Sequence, residues 1–442
     1  METLQRFHGC LLGLATGDAL GASVEFSPRG TFEPVRDMIG GGAFRLQPGQ
    51  WTDDTSMALC LGMSLIRCRG FDARDQMRRY LRWMDTGYLS STGYCFDLGH
   101  TVATALERFR ATNRPIAGSD DPHTAGNGCI MRLAPVPMFY FPDIDQAELL
   151  AAESSRTTHG AEECVDASRL LARIICRALA GRPKEEMLLG DRGWFDGAER
   201  IVAIADGAYL EKERDEIRGS GYVVESLEAA LWCFARTESF EDAVLAAVDL
   251  GDDADTTAAV CGQVAGAFYG ESAIPERWRE RLAKRDLIEW MVEKLFLMGN
   301  AGRAKRRAAS TLPRGHPGRA NEFWCEEIEN DEITLEDIPD PDTSIMHDVL
   351  LFGLSHDGYP RYGFEVCGQI ANRAKDRYMA TGELPKMLEE LRVCLFFEHR
   401  RHHHFGRAPE GEYAVYVRNL LRAIREHVKR REERRREAGA ST

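Results

Sequence analysis

Two short acidic stretches, Thr52-Asp53-Asp54-Thr55 and Asp253-Ala254-Asp255-Thr256-Thr257, lie roughly two hundred residues apart and look alike. Each immediately precedes an apolar run of helical period, Met57 to Ile66 and Ala258 to Phe268. The plain reading is helix capping, because Thr and Asp accept bonds from free N–H groups and suit the positive end of the helix dipole. A cap, however, needs one short acceptor. These stretches carry several carboxylates with threonines beside them, and neighbouring negative charges resist ionisation unless a cation is present. If the two helix starts converge, Asp53, Asp54, Asp253 and Asp255 form an all-oxygen cage with the hydroxyls of Thr52 and Thr256. Such a donor set suits Mg²⁺ or Mn²⁺ rather than zinc, and two ions could share it.

Two other chemistries compete for the same residues. Asp253-x-Asp255-x-Thr257 matches the nucleophile signature of aspartate-based phosphatases, whose first Asp takes a phosphoryl group. That signature needs a β-branched strand before it. The preceding segment, from Phe240 to Leu250, is instead Ala-rich and helical in period, so the phosphatase ranks well below the metal site. An EF-hand is excluded, since no loop has ligands at the required offsets closed by a bidentate Glu.

The elements that must position these acids read as helices. From Leu4 to about Leu297, segments with 3.6-residue periodicity follow one another without a long alternating strand pattern. Asp75 to Met84, Val165 to Leu179 and Val223 to Phe234 each carry one apolar stripe, the usual mark of core packing. Between them lie joints such as Gly40-Gly41-Gly42, Pro48-Gly49-Gln50, Ala117 to Gly128 and Arg192-Gly193-Trp194, where loops and function are expected.

Composition narrows the function classes. The 442 residues are 44% hydrophobic and 29% charged, which is globular rather than disordered or fibrous. With 56 Lys and Arg against 70 Asp and Glu, the formal charge of −14 disfavours non-specific nucleic-acid binding. No run of about 18 apolar residues occurs, so neither a membrane span nor a cleaved signal peptide is expected. The 12 cysteines are scattered without a Cys-x-x-Cys pair and read as reduced core residues, with a cytoplasmic location expected.

After Asn300 the composition turns Arg-, Gly- and Pro-rich, followed by an acidic run from Glu326 to Asp342. A linker over 301–342 and a smaller α or α+β domain of unknown role over 343–442 are expected. The His399-Arg-Arg-His-His-His404 tract and the charged tail Lys429 to Glu437 read as solvated or packing features rather than metal or partner sites.

Several motifs in order resemble the ADP-ribosylglycohydrolases. They are Gly9-Cys-Leu-Leu-Gly13, Gly17-Asp-Ala-Leu-Gly21 with Glu25, Trp51-Thr-Asp-Asp-Thr55, Gly126-Asn-Gly128 with Met131-Arg132, Thr158-His-Gly160, and Gly251-Asp-Asp-Ala-Asp-Thr256. The resemblance spans about residues 1–300. It implies an all-α domain with a dimetal Mg²⁺ or Mn²⁺ cleft, and Thr52, Asp53, Asp54, Asp253, Asp255 and Thr256 as ligands. It also places Glu25 beside the metals as ligand or catalytic group. Tyr94-Cys-Phe-Asp-Leu-Gly99 looks like a stretch of the arginine-specific branch, which implies an acid/base and guanidinium-recognising role for Asp97. A carboxylate suits both tasks, although capping of the helix expected from His100 is the plain alternative. His100 stands where that branch has Asn. The resemblance further implies ADP-ribose contacts from Asn127, Gly128 and His159, with His100 near the substrate. The Gly-Asn-Gly segment is otherwise simply a good turn. Arg132 is left between a diphosphate partner and a buried ion pair. The activity implied is metal-dependent removal of ADP-ribose from modified proteins, most directly from arginine, with O-linked ADP-ribose or mere ADP-ribose binding as alternatives.

Overall fold

The computed structural model describes residues 2–300 together with the isolated Lys429. The expected linker, the accessory region, the His399–His404 tract and the rest of the charged tail lie outside the described residues.

The chain opens with α1 (Glu2–Gly21), then, after a long loop, α2 (Asp53–Cys68), α3 (Ala73–Thr86) and α4 (His100–Thr112). The middle of the chain forms α5 (Pro135–Tyr140), α6 (Ile144–Arg156), α7 (Glu162–Leu179), α8 (Lys184–Leu189) and α9 (Glu199–Ala205). Last come α10 (Val223–Ala235), α11 (Phe240–Val248), α12 (Ala254–Tyr269), α13 (Glu276–Arg281) and α14 (Arg285–Met298). Extended pairing among the described residues is limited to isolated bridges, Gly41 with Leu46, Ser119 with His159 and Gly126 with Tyr222. No helix among them is long and apolar enough to cross a membrane. The all-α expectation for this part of the chain therefore holds, and the three striped segments fall within α3, α7 and α10.

One helix pair explains how distant acids meet. Gly9, Gly13, Gly17 and Gly21 recur every fourth residue and so line one face of α1. That face lies on the small residues of α12 running the other way. A Cβ added at Gly9 would sit 2.1 Å from the Gly266 carbonyl oxygen, at Gly13 2.2 Å from that of Gly262, and at Gly17 2.1 Å from that of Ala258. The backbones touch, so any side chain on this seam would push the helices apart. The close crossing brings Asp18 and the loop after α1 against the first turn of α12, where Asp255 sits.

Two details differ from the sequence expectation. Asp53 and Asp54 occupy the first turn of α2 instead of preceding it, because Thr52 takes the N-cap position. Likewise Asp255, Thr256 and Thr257 lie inside the first turn of α12, and only Asp253, its N-cap residue, precedes the helix. The segment ahead of Asp253 is the helix α11, not a strand, so the phosphatase signature lacks the context it needs.

Candidate active site

Thr52 and Asp253 hold the cap positions of α2 and α12, yet neither makes a side-chain capping bond. Across the gap between the two helix starts Thr52 and Asp54 face Asp255 and Thr256, while Asp253 Oδ2 accepts from Asn127 Nδ2. Thr52 Oγ1 lies 3.2 Å from Asp54 Oδ2 and 3.2 Å from Asp255 Oδ2. Thr256 Oγ1 lies 3.2 Å from Asp54 Oδ1. Thr52, Asp54 and Asp255 are almost wholly buried, and Asp53 and Thr256 nearly so, while Asp253 is half-buried. The two sequence-distant stretches thus form one cluster.

Asp18 completes this cluster, and reading the sequence for ligands missed it. Its Oδ1 accepts from the Thr52 backbone N–H at 2.7 Å and the Thr52 hydroxyl at 3.0 Å. Its Oδ2 accepts from the Thr55 N–H at 3.0 Å and the Thr55 hydroxyl at 2.6 Å. Four donors fill the four lone-pair directions of one carboxylate. Asp18 is therefore saturated as an acceptor, although its oxygens lie close to those of Asp54 and Asp255. It fixes the start of α2 from α1. The sequence signal is partial: an Asp in the last turn of a glycine-lined helix, at the unfavourable end of its dipole, asks for a buried partner without saying which.

The Thr52 hydroxyl has one proton, and its nearest acceptor is Asp18. Its contacts to Asp54 and Asp255 are then between oxygens without a hydrogen. A spacing near 3 Å is what two oxygens show when they share an edge of an octahedral Mg²⁺ shell with Mg–O of about 2.1 Å. Asp255 Oδ1 and Glu25 Oε2 are buried without a hydrogen-bond partner. A buried carboxylate oxygen left unmatched is costly, and a divalent cation would satisfy it. Electrostatics agree with this. Burial first, then the mutual repulsion of the acids, raises Asp53, Asp54 and Asp255 well above the ordinary carboxylate range. The donor set, all oxygen and strongly anionic, fits hard divalent cations.

Glu25 is delivered by the loop after α1. Phe26 N–H donates to Asp252 O at 2.7 Å and Asp252 N–H to Ser27 O at 2.8 Å, which clips this loop to the one before α12. Glu25, Asp97 and Asp255 each bring a carboxylate oxygen to one point. Burial, then Asp97 and Asp253, pushes Glu25 up to about 9. Burial, then Asp18 and Asp253, pushes Asp97 up to about 7 against a hydrogen bond with Asp53. Asp97 does not cap α4, whose N-cap is Gly99 with no side-chain bond. Asp97, Asp252 and Phe26 all adopt left-handed backbone conformations, with φ of 54°, 54° and 62°. Each such residue costs about 1–3 kcal/mol, and three together at one cleft mark a constrained site.

These acids form one end of a cleft of about 680 Å³. The other end is lined by Gly126, Asn127, Gly128 and His159, and the cleft lining also includes His100, exposed at the start of α4. Asn127 bridges the two ends, because its Nδ2 donates to Asp253 Oδ2 at 2.6 Å and to Ser226 Oγ at 3.2 Å. A Cβ on Gly128 would lie 2.8 Å from His159 Cε1, so this glycine is set by the close approach of the imidazole. Neither alternative for Arg132 holds. It is fully buried, outside the cleft lining, with its guanidinium 4.7 Å from the Tyr80 ring centroid and no carboxylate partner among the described residues.

The model of the ADP-ribosylglycohydrolase family matches residues 1–304. ADP-ribosylarginine hydrolase Tri1 of Serratia proteamaculans (strain 568) is 42% identical over 297 residues, covering 67% of this chain and 80% of its own. ADP-ribosyl-(dinitrogen reductase) glycohydrolase of Rhodospirillum rubrum is 32% identical over 284 residues, covering 63% of this chain and 90% of its own. A solved structure titled ADP-ribosylglycohydrolase-related protein complex aligns with a TM-score of 0.60 and 46% identity, over 67% of this chain and 99% of its own.

Proposed function

Since the chain belongs to the ADP-ribosylglycohydrolase family, we propose that it hydrolyses the N-glycosidic bond between ADP-ribose and an arginine side chain of modified proteins. Residues 1–300 carry the activity, and residues 301–442 are appended to it. The observation that supports this best is the convergence of Glu25, Asp97 and Asp255 beside the Thr52–Asp54–Thr256 cluster. Thr52, Asp53, Asp54, Asp253, Asp255 and Thr256 are the residues that would hold two divalent ions, Mg²⁺ or Mn²⁺. Such ions supply Lewis-acid polarisation of the sugar and of water.

The remaining work falls to this chain's own groups. The reaction breaks the bond from the ribose anomeric carbon to a guanidinium nitrogen, places the OH of water on that carbon, and returns a proton to the nitrogen. Asp97 pairs with the departing guanidinium and moves that proton, since a carboxyl that lines the cleft can bond a guanidinium and also exchange a proton with it. Glu25 faces the same point and positions water or sugar hydroxyls. The Gly126–Gly128 loop and His159 offer phosphate oxygens a close backbone approach and an imidazole, so the ADP half runs toward them. Asp18 holds Thr52 in place through bonds from the N–H and hydroxyl groups of Thr52 and Thr55.

The test is release of ADP-ribose from an arginine-modified protein, with EDTA and with Mg²⁺ or Mn²⁺ restored, alongside a serine-modified peptide. Metal-dependent release from arginine is expected. Release from serine alone removes the arginine assignment, and tight ADP-ribose binding without turnover makes the protein a binder.

A further inference from the structure

Resting on the proposed function, we infer that Arg132 and Thr158 are positioning residues that lock His159 as the neutral Nε2–H tautomer, aiming one fixed N–H donor at the diphosphate end of the cleft.

The chain of contacts leaves little freedom. Arg132 Nη2 donates to Thr158 Oγ1, and Thr158 Oγ1 lies 2.8 Å from His159 Nδ1. Arg132 and Thr158 are fully buried and His159 almost so. An arginine is a donor only, so Thr158 must accept from it. The Thr158 hydroxyl proton then needs an acceptor of its own. Within hydrogen-bond reach of that hydroxyl, His159 Nδ1 is the remaining partner among the described residues. An Nδ1–H tautomer would leave the hydroxyl proton buried without an acceptor, at a cost of about 1–3 kcal/mol. Nδ1 therefore accepts and Nε2 carries the hydrogen.

The backbone holds the ring where this matters. His159 N–H donates to Ser155 O at 2.7 Å, Ser155 Oγ donates to His159 O at 2.9 Å, and Gly160 N–H donates to Ser119 O at 2.9 Å. Nε2 faces the glycine loop, 3.2 Å from where a Cβ on Gly128 would stand and 3.5 Å from one on Gly126. His159 lines the cleft, and among the described residues its ring is bonded at Nδ1, which leaves Nε2 for a ligand. The buried guanidinium behind it has no carboxylate partner among the described residues, so its positive charge favours an anion on the cleft side. The group that fits is a phosphate oxygen of the ADP half. His159 thus recognises and does not shuttle protons.

The experiment is ¹⁵N NMR of histidine-labelled ligand-free protein at pH 7, with His159 assigned by loss of its signals in His159→Gln. It is read beside calorimetric titration with ADP-ribose. The expected spectrum is a single Nε2–H tautomer. Thr158→Ser should keep that tautomer, and the ADP-ribose Kd within about twofold. Thr158→Val, which keeps shape but loses the hydroxyl, should mix the tautomers and raise the Kd about tenfold. Far-UV circular dichroism confirms that both variants fold. An Nδ1–H tautomer in the wild type, or a Val variant that keeps both tautomer and affinity, overturns the inference. The spectrum needs no ligand, so it decides the tautomer even where ADP-ribose fails to bind. Failure of the wild type to bind ADP-ribose overturns the proposed function instead, and with it the assignment of the phosphate.

Discussion

The two ends of the cleft reach specificity by opposite means. At one end Asp53, Asp54, Asp253, Asp255, Glu25 and Asp97 crowd together, their charge unbalanced within the described residues, their pKa values raised, and two of their oxygens without partners. At the other, Gly126, Asn127, Gly128 and His159 carry no formal charge, and Asn127 Nδ2 and His159 Nδ1 are bonded to neighbours. The acidic end has the all-oxygen, anionic donor set that a divalent cation would satisfy. The neutral end is built rigid in advance, which keeps the ordering cost of binding low. A ligand that is electron-poor at one end and anionic at the other matches this polarity.

The comparison breaks most completely at the ligands. Asp54→Ala and Asp255→Ala should each abolish Mg²⁺ binding by calorimetry and lower turnover by about 10³-fold or more, as loss of several kcal/mol of Lewis-acid stabilisation requires. Full turnover with either variant would remove the metal centre from the mechanism. Next comes the support from α1. Asp18→Asn puts an amide donor against four existing donors, and loss of such an outer partner costs about 10–100-fold in metal affinity. An unchanged Mg²⁺ isotherm would show that Asp18 does not orient Thr52.

The seam itself is tested by stability. Gly17→Ala places a Cβ 2.1 Å from the Ala258 carbonyl oxygen, and overpacking of this kind costs about 1–3 kcal/mol. Chemical denaturation should show that loss, together with weaker metal binding, because Asp18 moves with its helix.

The charge at the acidic end also predicts a pH profile for metal-stripped protein. Asp18, Asp97 and Glu25 stand at about 6, about 7 and about 9, above the 3.8 to 4.5 of unfolded carboxyls. A raised folded pKa favours folding below the unfolded value, and that contribution is lost as pH rises through the folded one. The melting temperature in EDTA should therefore fall between about pH 4 and about pH 9, and saturating Mg²⁺ should flatten the slope. A flat profile in EDTA would mean that the acids are not in repulsion. The smallest effect lies at the neutral end. Burial first, and then Arg132, pushes His159 down to about 3, so its ring signals should not titrate from pH 5 to pH 8. A midpoint near 6.5 would contradict its burial.

The residues of the acidic cluster were legible in the sequence because surplus carboxylates at a helix start ask for a counterion wherever they occur. Asp18 was not legible as part of the site, because a lone helical Asp says nothing about which donors surround it. Arg132 shows the same limit, since its partners Thr158, Met57 and Tyr80 come from three other segments.

By itself the chain determined the helical periods, the glycines at every fourth position of α1, and the two acidic stretches at helix starts. These are local properties, set by side-chain type and by backbone geometry over a few residues. Only the tertiary structure decided that the glycine seam runs against α12, that the two acidic stretches share one gap, and which hydrogen of which hydroxyl points where. Those are contacts between segments up to some two hundred residues apart, and they depend on how closely two backbones can approach, which no single segment contains.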